Sequence, residues 1–170
     1  MSDTYDKTRA DDTQSIENAG IPQEFLSFTV GDAEYGVDIM IVREIKGWTD
    51  VTRLPNSVDY MRGVMNLRGL IIPIFDLRAR FNQGKTDAHA KNVVIIMAVG
   101  ERNIGLLVDT VSDILTVNAG DIKPAPETET AHDADYIDGL ISLENRMVVL
   151  LNIEHLFETK IIETALEHAA

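Results

Sequence analysis

Two stretches of this chain fall on each other without a gap when one is shifted by 69 positions. Val30-Gly31, Tyr35-Gly36-Val37, Ile39, Val42 and Glu44-Ile45 land on Val99-Gly100, Ile104-Gly105-Leu106, Val108, Val111 and Asp113-Ile114. A weaker echo, shifted by 76, sets Gly63-Val64-Met65-Asn66-Leu67 and Leu70-Ile71-Ile72 against Gly139-Leu140-Ile141-Ser142-Leu143 and Met147-Val148-Val149, with a slightly longer turn in the second copy. The order A, B, A, B means that the chain is two related units of about seventy residues. Such a unit is long enough for a five-stranded barrel but too thin for a core of its own, so the two units are expected to pack on each other.

From Phe25 onward, apolar runs rich in Val, Ile and Leu alternate with Gly, Pro, Asn and Asp, which is a β pattern. Strands are expected at residues 24–30, 33–37, 51–53, 63–67, 70–76, 93–99, 103–108 and 147–153. The alternation in 25–30 predicts a half-exposed strand, whereas 93–97 reads as buried on both faces. Short helical pieces are expected at 39–45, 57–61, 77–81 and 110–115. A longer helix over 154–168 repeats Ile153, Leu156, Phe157 and Ile161 near helical spacing and should lie on the barrel surface. Residues 1–23, polar and ending near Gly20 and Pro22, read as a disordered arm. The expected division is therefore arm 1–23, a folded domain 24–157 and a helix end or tail 158–170. Gly36 and Gly105, inside strands, point to close backbone approach or a bulge. The lone Trp48 reads as a cap on the core more readily than as a partner anchor.

Arg68-Gly69 between apolar strands predicts a two-residue hairpin turn, with Gly69 taking positive φ and the Arg68 side chain in solvent.

Charge and composition narrow the chemistry. Of 170 residues, 15 are Lys or Arg and 28 are Asp or Glu, giving a formal net charge of −13. This opposes a nucleic-acid groove. The charge is also polarised: seven bases face four acids in residues 43–80, and two bases face ten acids in 101–144. Two poles of opposite sign suit docking between protein surfaces. The absence of Cys removes disulfides, thiolate catalysis and cysteine-bound metals. No apolar run approaches the ~18 residues of a membrane span and no signal-peptide pattern opens the chain, so a cytoplasmic protein without direct membrane insertion is expected.

No phosphate loop, dinucleotide fingerprint or nucleophile elbow is present, so no catalytic residue is expected. His89, His132, His155 and His168 are isolated, and no cofactor or metal site follows from them. The best decoy is the acidic stretch from Asp133 to Glu144. It places acids at positions 1, 3 and 12 of a calcium loop but puts Ile137 and Asp138 where the geometry is strict. A small acidic barrel using Asp109, Asp113 or that loop with a divalent ion is the alternative function.

The motifs Gly31-Asp-x-Glu-Tyr-Gly-Val-Asp-Ile, Val42-Arg-Glu-Ile, Arg62-Gly-Val-Met-Asn-Leu-Arg-Gly-Leu-Ile-Ile-Pro-Ile-Phe-Asp-Leu-Arg, Gly105-Leu-Leu-Val-Asp-x-Val-Ser-Asp-Ile and Ile122-Lys-Pro-Ala-Pro-Glu together resemble the CheW family of chemotaxis coupling proteins. The resemblance runs from about Glu24 to Phe157. It implies a mainly β fold of two intertwined SH3-like five-stranded barrels around a shared core. It also implies a non-catalytic adaptor, joining chemoreceptor cytoplasmic tips to the histidine kinase CheA in arrays at the inner membrane. By the same resemblance, Val42 and Glu44 fall on receptor- and kinase-contact positions, Gly63 and Arg68 on receptor-binding positions, and Ile114 on an inter-barrel receptor groove. Lys123 matches a second kinase contact, and Thr128 stands where an aromatic residue is common.

Read without the family, Val42 and Glu44 two apart on a helical turn cannot share a face, so that either one packs inward or both line the edge of a groove.

Overall fold

The computed structural model describes residues 21–126, 136–157 and 162. The proposed arm, up to residue 20, and most of the proposed C-terminal helix lie outside the described residues. Eleven strands run in chain order: β1 Gln23–Val30, β2 Ala33–Asp38, β3 Val42–Gly47, β4 Met61–Leu67, β5 Leu70–Asp76, β6 Val93–Val99, β7 Arg102–Val108, β8 Thr110–Val117, β9 Ile122–Lys123, β10 Ile137–Leu143 and β11 Arg146–Leu151. Short helical turns occur at Leu77–Arg80 and Ile153–Leu156.

The strands form two sheets, ordered β3-β6-β7-β5-β4 and β8-β1-β2-β11-β10-β9. Each is the curled sheet of a small SH3-like barrel. The two halves of the chain exchange strands reciprocally. The first strand of each repeat pairs antiparallel with the third strand of the other, β1 with β8 and β6 with β3. The second strand of each pairs in parallel with the last strand of the other, β2 with β11 and β7 with β5. Thus the first barrel, β3 to β7, and the second, built from the remaining strands, each contain pieces of both repeats.

The exchange produces three cores. Met65, Leu67, Ile72, Ile74, Val94, Ile96 and Leu107 fill the first barrel, while Phe25, Leu115, Val117, Ile141, Val148 and Leu150 fill the second. Between the barrels lies a larger core including Leu26, Phe28, Val37, Phe75, Ile95, Met97, Ile104, Leu106 and Phe157. Alternate residues of one strand serve different cores: Val94 and Ile96 enter the first barrel, Ile95 and Met97 the shared core. This explains the unbroken apolar run of β6.

The same division corrects the reading of β1. It is not half exposed, because Leu26, Phe28 and Val30 line the shared core while the other face turns to the second barrel, where Phe25 joins its core and Ser27, at 0% exposure, exchanges hydrogen bonds with the Asp113 backbone. Ile153, Leu156 and Phe157, the described part of the apolar stripe expected to pack on the barrels, belong to the shared core.

Segments expected as helix at 39–45 and 110–115 are largely strand. Only Ile39–Ile41 forms a 3-10 turn before β3, and 110–115 lies entirely within β8. Each strand carries a β-bulge at the equivalent place. Val42 pairs with Met97 and Glu44 with Ile96, leaving Arg43 as the extra residue. Likewise Val111 pairs with Phe28 and Asp113 with Ser27, leaving Ser112. An extra residue puts two same-face positions three apart, as for Val42 and Ile45, which imitates helical spacing.

Residues 57–61 are turn and the start of β4 rather than helix, and 51–53 contributes only an isolated bridge from Thr52 to Val64. That bridge corresponds to the pairing of Lys123 with Leu140, which the second barrel extends into β9. Six strands therefore stand where five are expected. The turn of the β10–β11 hairpin is not longer than its counterpart. Leu143 pairs with Arg146 as Leu67 does with Leu70, two residues intervening in each.

Candidate functional site

Four of the residues singled out by the family motifs, Val42, Glu44, Arg68 and Gly63, sit on three structural devices. The first is the bulge in β3. Val42 turns toward the shared core, against which it packs half-buried, whereas Glu44 projects to the side of Ile96, the first-barrel side. The two do lie on opposite faces, but because of an extra strand residue rather than a helical turn.

The second device is the β4–β5 hairpin tip. Arg68 (φ 51°) and Gly69 (φ 88°) both take positive φ, the pattern of a two-residue turn whose twist matches its strands. The Asn66 side chain accepts a 2.9 Å hydrogen bond from the Gly69 amide and fixes the turn. Arg68 extends from this tip across the mouth of the barrel, and its Nη2 donates to Glu44 Oε2 at 2.7 Å. β3 and β4 are opposite edges of the five-stranded sheet. The ion pair and the Thr52–Val64 bridge therefore close the curl. The hydrogen bond from Arg68 and its positive charge lower the Glu44 pKa from the ordinary carboxylate value, and Glu44 raises that of Arg68.

The third device is Gly63. At φ 146° and buried, it lies where a Cβ would stand 2.3 Å from the Thr52 carbonyl oxygen. Gly63 presents no side chain to a partner, and its part in the site is to set the course of β4.

Ile114 stands elsewhere, on β8 in the second barrel. It pairs with Leu26, on the side of the shared core, and is 50% exposed. Lys123 is exposed on β9, at the far edge of the same sheet. Thr128 lies outside the described residues. The structure thus brings Glu44 and Arg68 into contact and leaves Ile114 and Lys123 on two edges of the other sheet.

Motif reading did not single out the exposed apolar side chains near these residues, Ile45 on β3 and Leu70 and Ile71 beside the hairpin tip. The repeat carried the signal: Ile45 corresponds to Ile114, and Ile71 to Met147, which is 54% exposed. Trp48 is half-buried against the first-barrel core, with the Arg62 guanidinium 5.6 Å over its ring, as a core cap. Among the described residues no cluster of three or more His, Asp or Glu is placed to hold a metal ion, and no helix is long and apolar enough to cross a membrane.

Comparison with known proteins places these features in context. The family model described as CheW-like domain matches residues 24–160. A chemotaxis protein CheW of Klebsiella aerogenes is 45% identical over 140 residues, covering 82% of this chain and 84% of the relative. One of Rhizobium meliloti is 41% identical over 150 residues, covering 88% and 96%. Among solved structures, the scaffolding protein TtCheW of Thermoanaerobacter tengcongensis superimposes with a TM-score of 0.75 at 29% identity, covering 82% of this chain and 94% of that one.

Proposed function

The chain belongs to the CheW-like domain family, and from that premise we propose that it acts at the chemoreceptor tip, joining it to the histidine kinase CheA. It is a non-catalytic coupling adaptor of chemotaxis signalling. In this reading it works in the cytoplasm, recruited to receptor arrays at the inner membrane, and binds nucleic acid nowhere in its cycle.

The observation that carries the proposal is the Glu44–Arg68 pair. Two positions that the family motif assigns to partner contact are drawn from opposite edges of one sheet into a single exposed charged feature. A mostly exposed guanidinium at a rigid turn tip contributes little to folding, yet its planar set of donors suits recognition of a partner carboxylate. Val42 and Gly63 shape the strands beneath it. Ile114 supplies apolar area to the receptor, and Lys123 with Thr128 forms a second kinase contact.

The test is titration of the intact protein with a chemoreceptor cytoplasmic fragment and with the CheA regulatory domain, separately and together. A ternary complex is expected. Failure to bind either fragment would overturn the reading.

A further inference from the structure

Four strand pairings among the described residues join the first half of the chain to the second: β1 with β8, β2 with β11, β3 with β6 and β5 with β7. None of them requires the two halves to belong to one molecule. The second half of another copy presents the same strands, the same registers and the same faces to the shared core. Only the connection between β5 and β6 decides whose second half a first half receives.

That connection is anchored from both sides. Thr86 is tied to the first half, where the buried Asp76 carboxylate accepts from its amide at 2.7 Å and its hydroxyl at 2.6 Å, and Arg62 donates to its carbonyl at 3.1 Å. His89 and Asn92 are tied to the second half: the His89 amide donates to the Asn92 side chain, whose Nδ2 donates to the Val108 carbonyl at 3.2 Å. Asp87 and Ala88 alone lie between these anchors, and three extended steps reach about 10 Å. Thr86 at 5% and Asn92 at 4% exposure are both covered, so another molecule cannot bring its own anchor that close without parting a packed wall. With Thr86 held, the chain closes on itself. With Thr86 free, the slack runs from Asn82 to Ala88, about 25 Å when extended, and begins in the exposed positive-φ turn at Asn82 (59°) and Gly84 (87°).

We propose that the Asp76–Thr86 clasp is what keeps each first half with its own second half, and that when it opens a second copy of this chain takes over, the two copies exchanging halves into a domain-swapped dimer. Both states bury the same three cores. The clasp and the cost of joining two molecules therefore set the balance, and protein concentration shifts it. The dimer carries every outward-facing surface of the monomer twice.

The test compares wild type with Asp76→Ala and Thr86→Val, each refolded from denaturant at low and high protein concentration and sized by gel filtration with light scattering. Wild type should return as monomer. Each variant should raise the ratio of dimer to monomer about tenfold or more, with a larger dimeric fraction at the higher concentration. The chain has no Cys, so an added disulfide reports which halves have paired. Thr29 in β1 and Thr110 in β8 face each other with their hydroxyls 2.6 Å apart. Thr29→Cys together with Thr110→Cys, added to each protein, should close within one chain in monomers and between chains in dimers. A denaturing gel without reductant then shows covalent dimer in the dimeric fraction alone. Thr86→Val keeps the amide bond to Asp76 and decides the matter if Asp76→Ala does not fold. A dimer-to-monomer ratio no higher than that of wild type would overturn the proposal. So would a dimeric fraction whose disulfide stays within one chain, the mark of association through outer surfaces.

Discussion

At the scale of single residues, the candidate site separates into groups that touch a partner and groups that hold the backbone. On the function proposed above, Arg68 belongs to the first kind. Arg68→Ala and Arg68→Glu are expected to melt close to wild type and to weaken receptor binding in that order, the second adding repulsion with Glu44 to the lost contact. Calorimetry beside thermal melts checks this, and unchanged receptor affinity in a folded Arg68→Glu protein removes the residue from the site.

The pair also has a pH signature. Because the folded-state pKa of Glu44 is lowered, chiefly by the hydrogen bond from Arg68, its contribution is present above the ordinary glutamate range and is lost as pH falls through the lowered value. In an NMR titration the Glu44 carboxyl should ionise at lower pH than an unpaired glutamate, and Arg68→Ala should return it upward. Gly63 is of the second kind. Gly63→Ala meets the Thr52 carbonyl at a backbone conformation that side chains rarely adopt, and should cost at least about 2 kcal/mol by chemical denaturation. Any loss of binding in that variant should track its loss of folded protein.

Among the elements, bulges and staples decide what the strands present. The bulge in β3 was illegible in the sequence because Val42 and Ile45, three apart, obey the helical rule as well as the rule of a strand carrying one extra residue. Only pairing with Met97 and Ile96 selects between them. Gly36 and Gly105 were more legible. A Cβ on Gly36 would lie 3.0 Å from Leu150, and one on Gly105 2.4 Å from Ile74, at equivalent points of the two parallel pairings.

The connection between β5 and β6 depends on one buried carboxylate. Asp76, at 0% exposure, accepts from the Thr86 amide at 2.7 Å and the Thr86 hydroxyl at 2.6 Å, while Arg62 donates to the Thr86 carbonyl at 3.1 Å. Asp76→Ala strands these donors, and a loss of about 3 kcal/mol is expected. Hydrogen exchange should show faster exchange at Thr86 and its neighbours, and wild-type protection there would contradict the assignment.

For the whole molecule, reciprocal strand exchange means that neither repeat owns a barrel. Unfolding should be a single transition seen alike by probes in either sheet, and the separated halves, cut between β5 and β6, should each lack fixed tertiary structure and regain it on mixing. Well-separated transitions, or one half folding alone, would count against the shared core.

The doubled architecture, most strands, the Arg68-Gly69 turn and the family could be read from the chain before it folds, since these follow from local pattern and from residues near one another in the chain. It took the folded arrangement to show which repeat's strands pair, that both faces of β1 are buried, and that Arg68 meets Glu44 across the barrel mouth. The physical reason lies in how each signal is written. Turn chemistry and apolar periodicity are local, but two repeats with equivalent apolar faces satisfy those rules whether the hairpins stay at home or exchange. Only the gain from burying both second faces in one shared core separates the two outcomes.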